Sequence, residues 1–331
     1  MAGKIYKREK LQSLGDVASA LFTDLKEAGL AQVLPATGQN FTMTGGAGKF
    51  VMDSAAGVNP VHAKQPWRIL VDVEGATAYS GRLRIAIAGP QQITNAGAFS
   101  SFPGATDTTG TRVMGQLGNA WNKTTGQALG DCFITRNIAN KSYDAGTTMS
   151  YLLVATSRGI SLAVWEDASD DTPVMSFFSV QVPVNKDTGV ALTTDNSPIF
   201  CVFSADSQPL KKFVVSEADV FRPTVAKAAD KNTANSSAII NSTEQVAIAR
   251  GNKYLVTFPN RLNTDRYVYT EELDQFAYTS ADVIGEGSEV AVTVYGEGTP
   301  RVYRALKANG PLNTGMRLLM LVEGGGVPVA P

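Results

Sequence analysis

Short apolar runs that alternate with polar residues, broken at close intervals by Gly, Ser, Thr, Asn or Pro, constrain this chain more than any other feature. The stretches 67–73 and 82–88 read as strands; in the second, Leu83, Ile85 and Ile87 fall on one face and Arg82 and Arg84 on the other. Stretches 149–156 and 160–165 are joined by Thr156, Ser157, Arg158 and Gly159, and a glycine able to take positive φ in so short a connection predicts a hairpin. Further strands are expected at 174–182, 199–204 and 213–216, and then at 254–258, 266–269, 289–295, 301–306 and 316–322. Many short strands with turn residues between them predict a mainly β fold, an antiparallel sandwich or barrel-like core, and not a doubly wound sheet.

One segment carries helical spacing. Leu14, Val17, Ala18, Leu21, Phe22 and Leu25 form a stripe, Ser13 caps the start and Gly29 closes the end, so 13–29 is expected to be an amphipathic helix. A helix this short needs a partner for its apolar face, either the following domain or another subunit. The second option makes Leu14, Leu21, Phe22 and Leu25 candidate assembly contacts. From 34 to 66 no period persists, which predicts an extended, loop-like connection. The stretch 89–132 is again rich in Gly, Ser, Thr, Asn and Ala, with Phe99, Phe102 and Trp121 as further candidate contacts. The composition of 222–245 is that of a linker. The expected organisation is an N-terminal arm and helix (1–34), a main β domain (35–222), a linker (223–245) and a smaller C-terminal β-rich unit (246–331).

Charge narrows the function classes. Lys plus Arg total 29 against 30 for Asp plus Glu, a net charge of -1, which leaves no global field to hold a polyanion and argues against bulk nucleic-acid binding. The start is locally basic: Lys4, Lys7, Arg8 and Lys10 set against Glu9 read as a solvated arm able to attract an acidic neighbour. No apolar stretch approaches the roughly 18 residues that cross a bilayer, and no membrane partner is expected. The opening residues lack the apolar core of a secretory signal, so cytoplasmic assembly is expected. Cys132 and Cys201 sit in apolar runs, as free thiols do.

Catalytic patterns fail on detail. His62 is the only histidine, and no G-x-S-x-G accompanies it. The stretch TMTGGAGKF has Met43 where a phosphate loop needs its first glycine and Phe50 where it needs a hydroxyl. Gly285, Gly287, Gly296 and Gly298 read as hairpin turns, not as a dinucleotide fingerprint. Glu166, Asp167, Asp170 and Asp171 cluster after a strand without the ligand order of a calcium loop, and read as a solvated turn. Tyr267, Tyr269, Phe276 and Tyr278 alternate as buried strand residues do. No cofactor, metal or catalytic residue is therefore expected.

The segment SYLLVATSRGISLAVWEDASDDTPVMSFFSVQVPVN, with QPWRILVDVEG and YSGRLRIAIAGPQQI before it, resembles virion structural proteins of tailed bacteriophages over roughly residues 60–220. The resemblance implies a tail, baseplate or neck subunit without enzymatic activity, assembled in the host bacterial cytoplasm. Its partners would be other virion proteins and further copies of itself in a symmetric assembly. The rival expectation is a receptor- or carbohydrate-binding module of a phage tail, using 89–132 or the C-terminal tyrosines.

Overall fold

The computed structural model describes residues 4–54, 67–76, 80–88, 93–98, 132–137, 148–156, 159–167, 175–181, 184–185, 199–204, 211–217, 220–222, 256–261, 269–280, 284–285, 287–292, 299–306 and 316–324. The fold is mainly β, with antiparallel sheets and one N-terminal helix. In chain order the elements are β1 (Lys4–Leu11), α1 (Leu14–Glu27), β2 (Ala31–Leu34), β3 (Gly48–Asp53), β4 (Arg68–Glu74), β5 (Ser80–Ala88), β6 (Cys132–Asn137), β7 (Met149–Thr156) and β8 (Gly159–Glu166). They continue with β9 (Met175–Gln181), β10 (Val184–Asn185), β11 (Ile199–Ser204), β12 (Lys211–Glu217), β13 (Val220–Arg222), β14 (Val256–Arg261), β15 (Tyr269–Ser280), β16 (Glu289–Val292), β17 (Arg301–Ala305) and β18 (Met316–Glu323).

The helix begins and ends where its sequence says it should. Ser13 has extended backbone, and its Oγ accepts from the Asp16 amide at 3.1 Å, satisfying one of the open N–H groups of the first turn. At the other end Gly29 takes φ 96°, its amide bonds to Lys26 O at 3.0 Å, and the Leu30 amide bonds to Leu25 O at 3.1 Å. This is a Schellman closure, and Leu25 and Leu30 are both buried beside it.

Among the described residues the strands form three sheets, two of which enclose that helix. A central sheet of seven strands runs β1-β7-β8-β9-β11-β12-β13, a second of five runs β2-β3-β4-β5-β6, and a third of six runs β10-β15-β18-β17-β16 with β14 paired to β15. α1 packs on β1 and β7 from one side and on β3, β4 and β5 from the other. Met149, Tyr151, Leu153 and Ala155 of β7, with Ile160, Leu162 and Val164 of β8, share one core with α1 and with Phe50, Val51, Ile69, Val71, Leu83 and Ile85. Alternate residues of a strand point to opposite faces, so Leu152, Val154, Ser161 and Ala163 lie on the other side of the central sheet. They are buried too, on the side where β8 meets β15 and β7 meets β18. The central sheet is thus covered on both faces around β7 and β8, which explains why all eight residues of β7 are buried.

The apolar face of α1 is therefore covered within the chain. Leu14, Leu21 and Leu25 are fully buried, so these three side chains are occupied by the chain's own core and are not free to dock on a neighbour, and Phe22, 5% exposed, keeps only a small part of its ring at the surface. The basic start is a strand and not an arm: β1 pairs antiparallel with β7, Lys4 opposite Ala155 and Arg8 opposite Tyr151, until a bulge near Lys10, whose φ is 58°. The expected connection over 34–66 contains β3, where Phe50, Val51 and Met52 are all buried; a strand covered on both faces shows no alternation to detect. The C-terminal strands form their own sheet, yet it also takes β10 from the middle of the chain, Val184 pairing with Glu272. Phe99, Phe102, Trp121, His62 and the linker 223–245 lie outside the described residues.

Candidate functional site

Among the described residues, three groups of polar side chains each tie separate elements together. The first is centred on Asp24, a fully buried carboxylate on the inner face of α1. Arg8 of β1 donates to it through Nε at 3.0 Å and Nη2 at 2.6 Å, and the Tyr151 hydroxyl of β7 donates at 2.5 Å. Two forked donors and a phenol engage both oxygens of this carboxylate and hold β1, α1 and β7 together. Burial, and next the Asp24 charge, push the Tyr151 phenol well above its usual range; the bond to Asp24 raises the Arg8 guanidinium likewise. Lys4 pairs with Glu27 one helical turn further on. Lys4 and Arg8 of the basic start thus find acidic neighbours in their own chain.

Outside this clamp, Ser19, Phe22, Thr23, Lys26 and Glu27 of α1 and Asn40 and Phe41 of the following loop border an open cleft of about 550 Å³. Phe41 lies tilted against Phe22 and edge-on to Phe50, with ring centroids 6.0 and 5.4 Å away, so Phe22 and Phe41 give the cleft an aromatic floor. The loop wall is held by Gln32, whose Nε2 faces the carbonyls of Pro35, Ala36 and Gln39 at 2.8–2.9 Å. Hydroxyls, one amide, the Lys26 ammonium and the ion-paired Glu27 carboxylate rim the cleft.

The second place is Arg68 on β4. Its guanidinium forks onto Asp53 of β3 at 2.6 and 2.9 Å, and its Nη1 donates to Ile93 O at 2.7 Å and Asn95 Oδ1 at 2.9 Å. One buried cation so fixes the turn 93–98 onto the five-stranded sheet. The third lies between the central and six-stranded sheets, where Gln275 of β15 meets Thr156, Gly159 and Ser161.

The motifs weighed from sequence fall apart from one another. Thr44, Gly45, Gly46 and Ala47 form a two-residue turn with φ 59° and 79° at its glycines, closed by Thr44 N to Ala47 O at 2.8 Å, which is hairpin geometry and not a phosphate cradle. Gly285 and Gly287 make the turn that leads into β16. Asp167 accepts from Thr148 and Ser150 at 2.6 and 2.8 Å and closes the end of the β7–β8 pair, while Asp170 and Asp171 lie outside the described residues. Among the described residues no three His, Cys, Asp or Glu side chains are grouped as metal ligands would be. Asp24 is the residue that sequence reading passed over. Its signal was present: an ionisable side chain within the apolar stripe, between Leu21 and Leu25, requires a buried partner.

No family model, curated protein or solved structure matches the chain.

Proposed function

We propose that this chain is a non-enzymatic structural subunit of a tailed-bacteriophage virion, in its tail, baseplate or neck, and that it acts through contacts between subunits. The observation that carries this reading is how buried polar chemistry is used. Asp24, Arg68 and Gln275 each spend their hydrogen bonds on other elements of the same chain, which makes a rigid frame and leaves the outer faces for contact. Placement in a phage particle rests on the resemblance over residues 60–220. The surfaces offered are the cleft beside α1 and the outer part of β1, where Lys7 and Lys10 are exposed. Lysines along an edge strand discourage indiscriminate strand pairing and leave side-chain docking as the mode of contact. A specific contact of this kind buries on the order of 800 Å² per partner, and a closed symmetry multiplies it.

Negative-stain imaging of the purified protein tests the reading. Rings, tubes or other regular oligomers are expected; single particles of monomer size at every loading would overturn it.

A further inference from the structure

Two side chains and one backbone carbonyl of the central sheet meet one buried residue of the six-stranded sheet. Gln275 is fully buried on β15. Its Oε1 accepts from Ser161 Oγ at 2.6 Å, and its Nε2 donates to Thr156 Oγ1 at 2.8 Å and to Gly159 O at 3.1 Å. Ser161 in turn lies 2.7 Å from Ser179 Oγ, and Gln181 Nε2 donates to both serines, at 3.2 and 2.6 Å. Thr156 and Gly159 are the closing pair of the β7–β8 hairpin, so the amide of Gln275 is inserted at the end of that hairpin while β8 and β9 supply the hydroxyls around it.

We infer that Gln275 is the docking key of the six-stranded sheet: it sets the register in which that sheet seats on the central one, and the sheet comes away as a unit when the key is cut. The argument is one of matching. An amide has two donors and an acceptor in a fixed plane, and all three directions are met by groups from β7 and β8. A slip of β15 by one residue would bring Asp274 or Phe276 to the same place, setting a charge or a ring against buried hydroxyls. An apolar interface tolerates such slips far better, because burial has no direction. Every member of the cluster is neutral, so the docking it specifies is insensitive to salt, unlike the exposed Arg304–Glu9 pair at 3.8 Å that also joins the two sheets. The clamp around Asp24 and the tie at Arg68 lie on the opposite side of the central sheet, so that half keeps its own supports.

Amide hydrogen exchange on the full chain tests this with Gln275→Leu, which keeps the volume and removes the key. The amides of β15, β17 and β18 should lose protection about tenfold or more, the size expected for unpartnered buried polar groups, while those of β4, β7 and β8 keep theirs. An equal loss in all three sheets would show one indivisible unit, and no loss anywhere would show that Gln275 sets nothing; either result overturns the inference. Should Gln275→Leu fail to fold, Ser161→Ala cuts the same cluster more gently and is judged by the same pattern.

Discussion

The Tyr151 hydroxyl lies 2.5 Å from Asp24 Oδ2, a contact that spans 127 residues of sequence and joins β7 of the central sheet to the inner face of the helix. With Arg8 beside it on β1, it makes an ionic joint on which the position of α1 depends.

Asp24→Ala should therefore be costly. It leaves the Tyr151 hydroxyl buried without an acceptor and the Arg8 guanidinium without its counter-charge. The expected loss is about 3 kcal/mol, the low end for a broken buried pair because about a third of Arg8 reaches solvent. Urea unfolding should show a lower midpoint at unchanged slope; a midpoint within error of the parent would contradict the clamp.

Alkaline pH should act through the same joint. Burial raises the phenols of Tyr151 and Tyr6 above their ordinary range, so the unfolded chain releases these protons first as pH rises. The stability tied to them is complete below about pH 10 and is lost above it. Unfolding midpoints measured along a pH series should fall there, and less steeply in a Tyr6→Phe, Tyr151→Phe double variant.

Leu21→Ala should weaken the fold itself. Leu21 is fully buried among α1, the central sheet and the five-stranded sheet, so its truncation should cost about 2–5 kcal/mol in thermal or chemical unfolding. Unchanged stability with impaired assembly would place this side chain at a subunit contact instead.

Two glycines should respond very differently to alanine. At Gly159, with φ 142°, a Cβ would stand 1.8 Å from Val180 O, so Gly159→Ala must open the β8–β9 pairing and should cost about 3 kcal/mol or more. At Gly45, with φ 59° and open space around it, Gly45→Ala pays for left-handed backbone alone, about 1 kcal/mol. Circular-dichroism melts of the two variants give the comparison.

Much of the fold was legible in the sequence where one face of an element is wet. The alternation of 82–88 and the capped stripe of 13–29 led to β5 and α1 within a few residues of their observed ends. Legibility failed where burial is two-sided or where polarity is internal. β3 is hidden because Phe50, Val51 and Met52 are apolar in succession, and β1 because Lys4 and Arg8 look solvated until Glu27 and Asp24 are seen to receive them. The Gln275 cluster was beyond reach, since Gln275 stands 114 to 119 residues from its partners and nothing local marks them as a set.

Sedimentation velocity across a wide concentration series tests the central claim most directly. A subunit that works by contact with its own copies should give discrete larger species that grow with concentration and share one stoichiometry. One monomeric boundary throughout the series would contradict that claim.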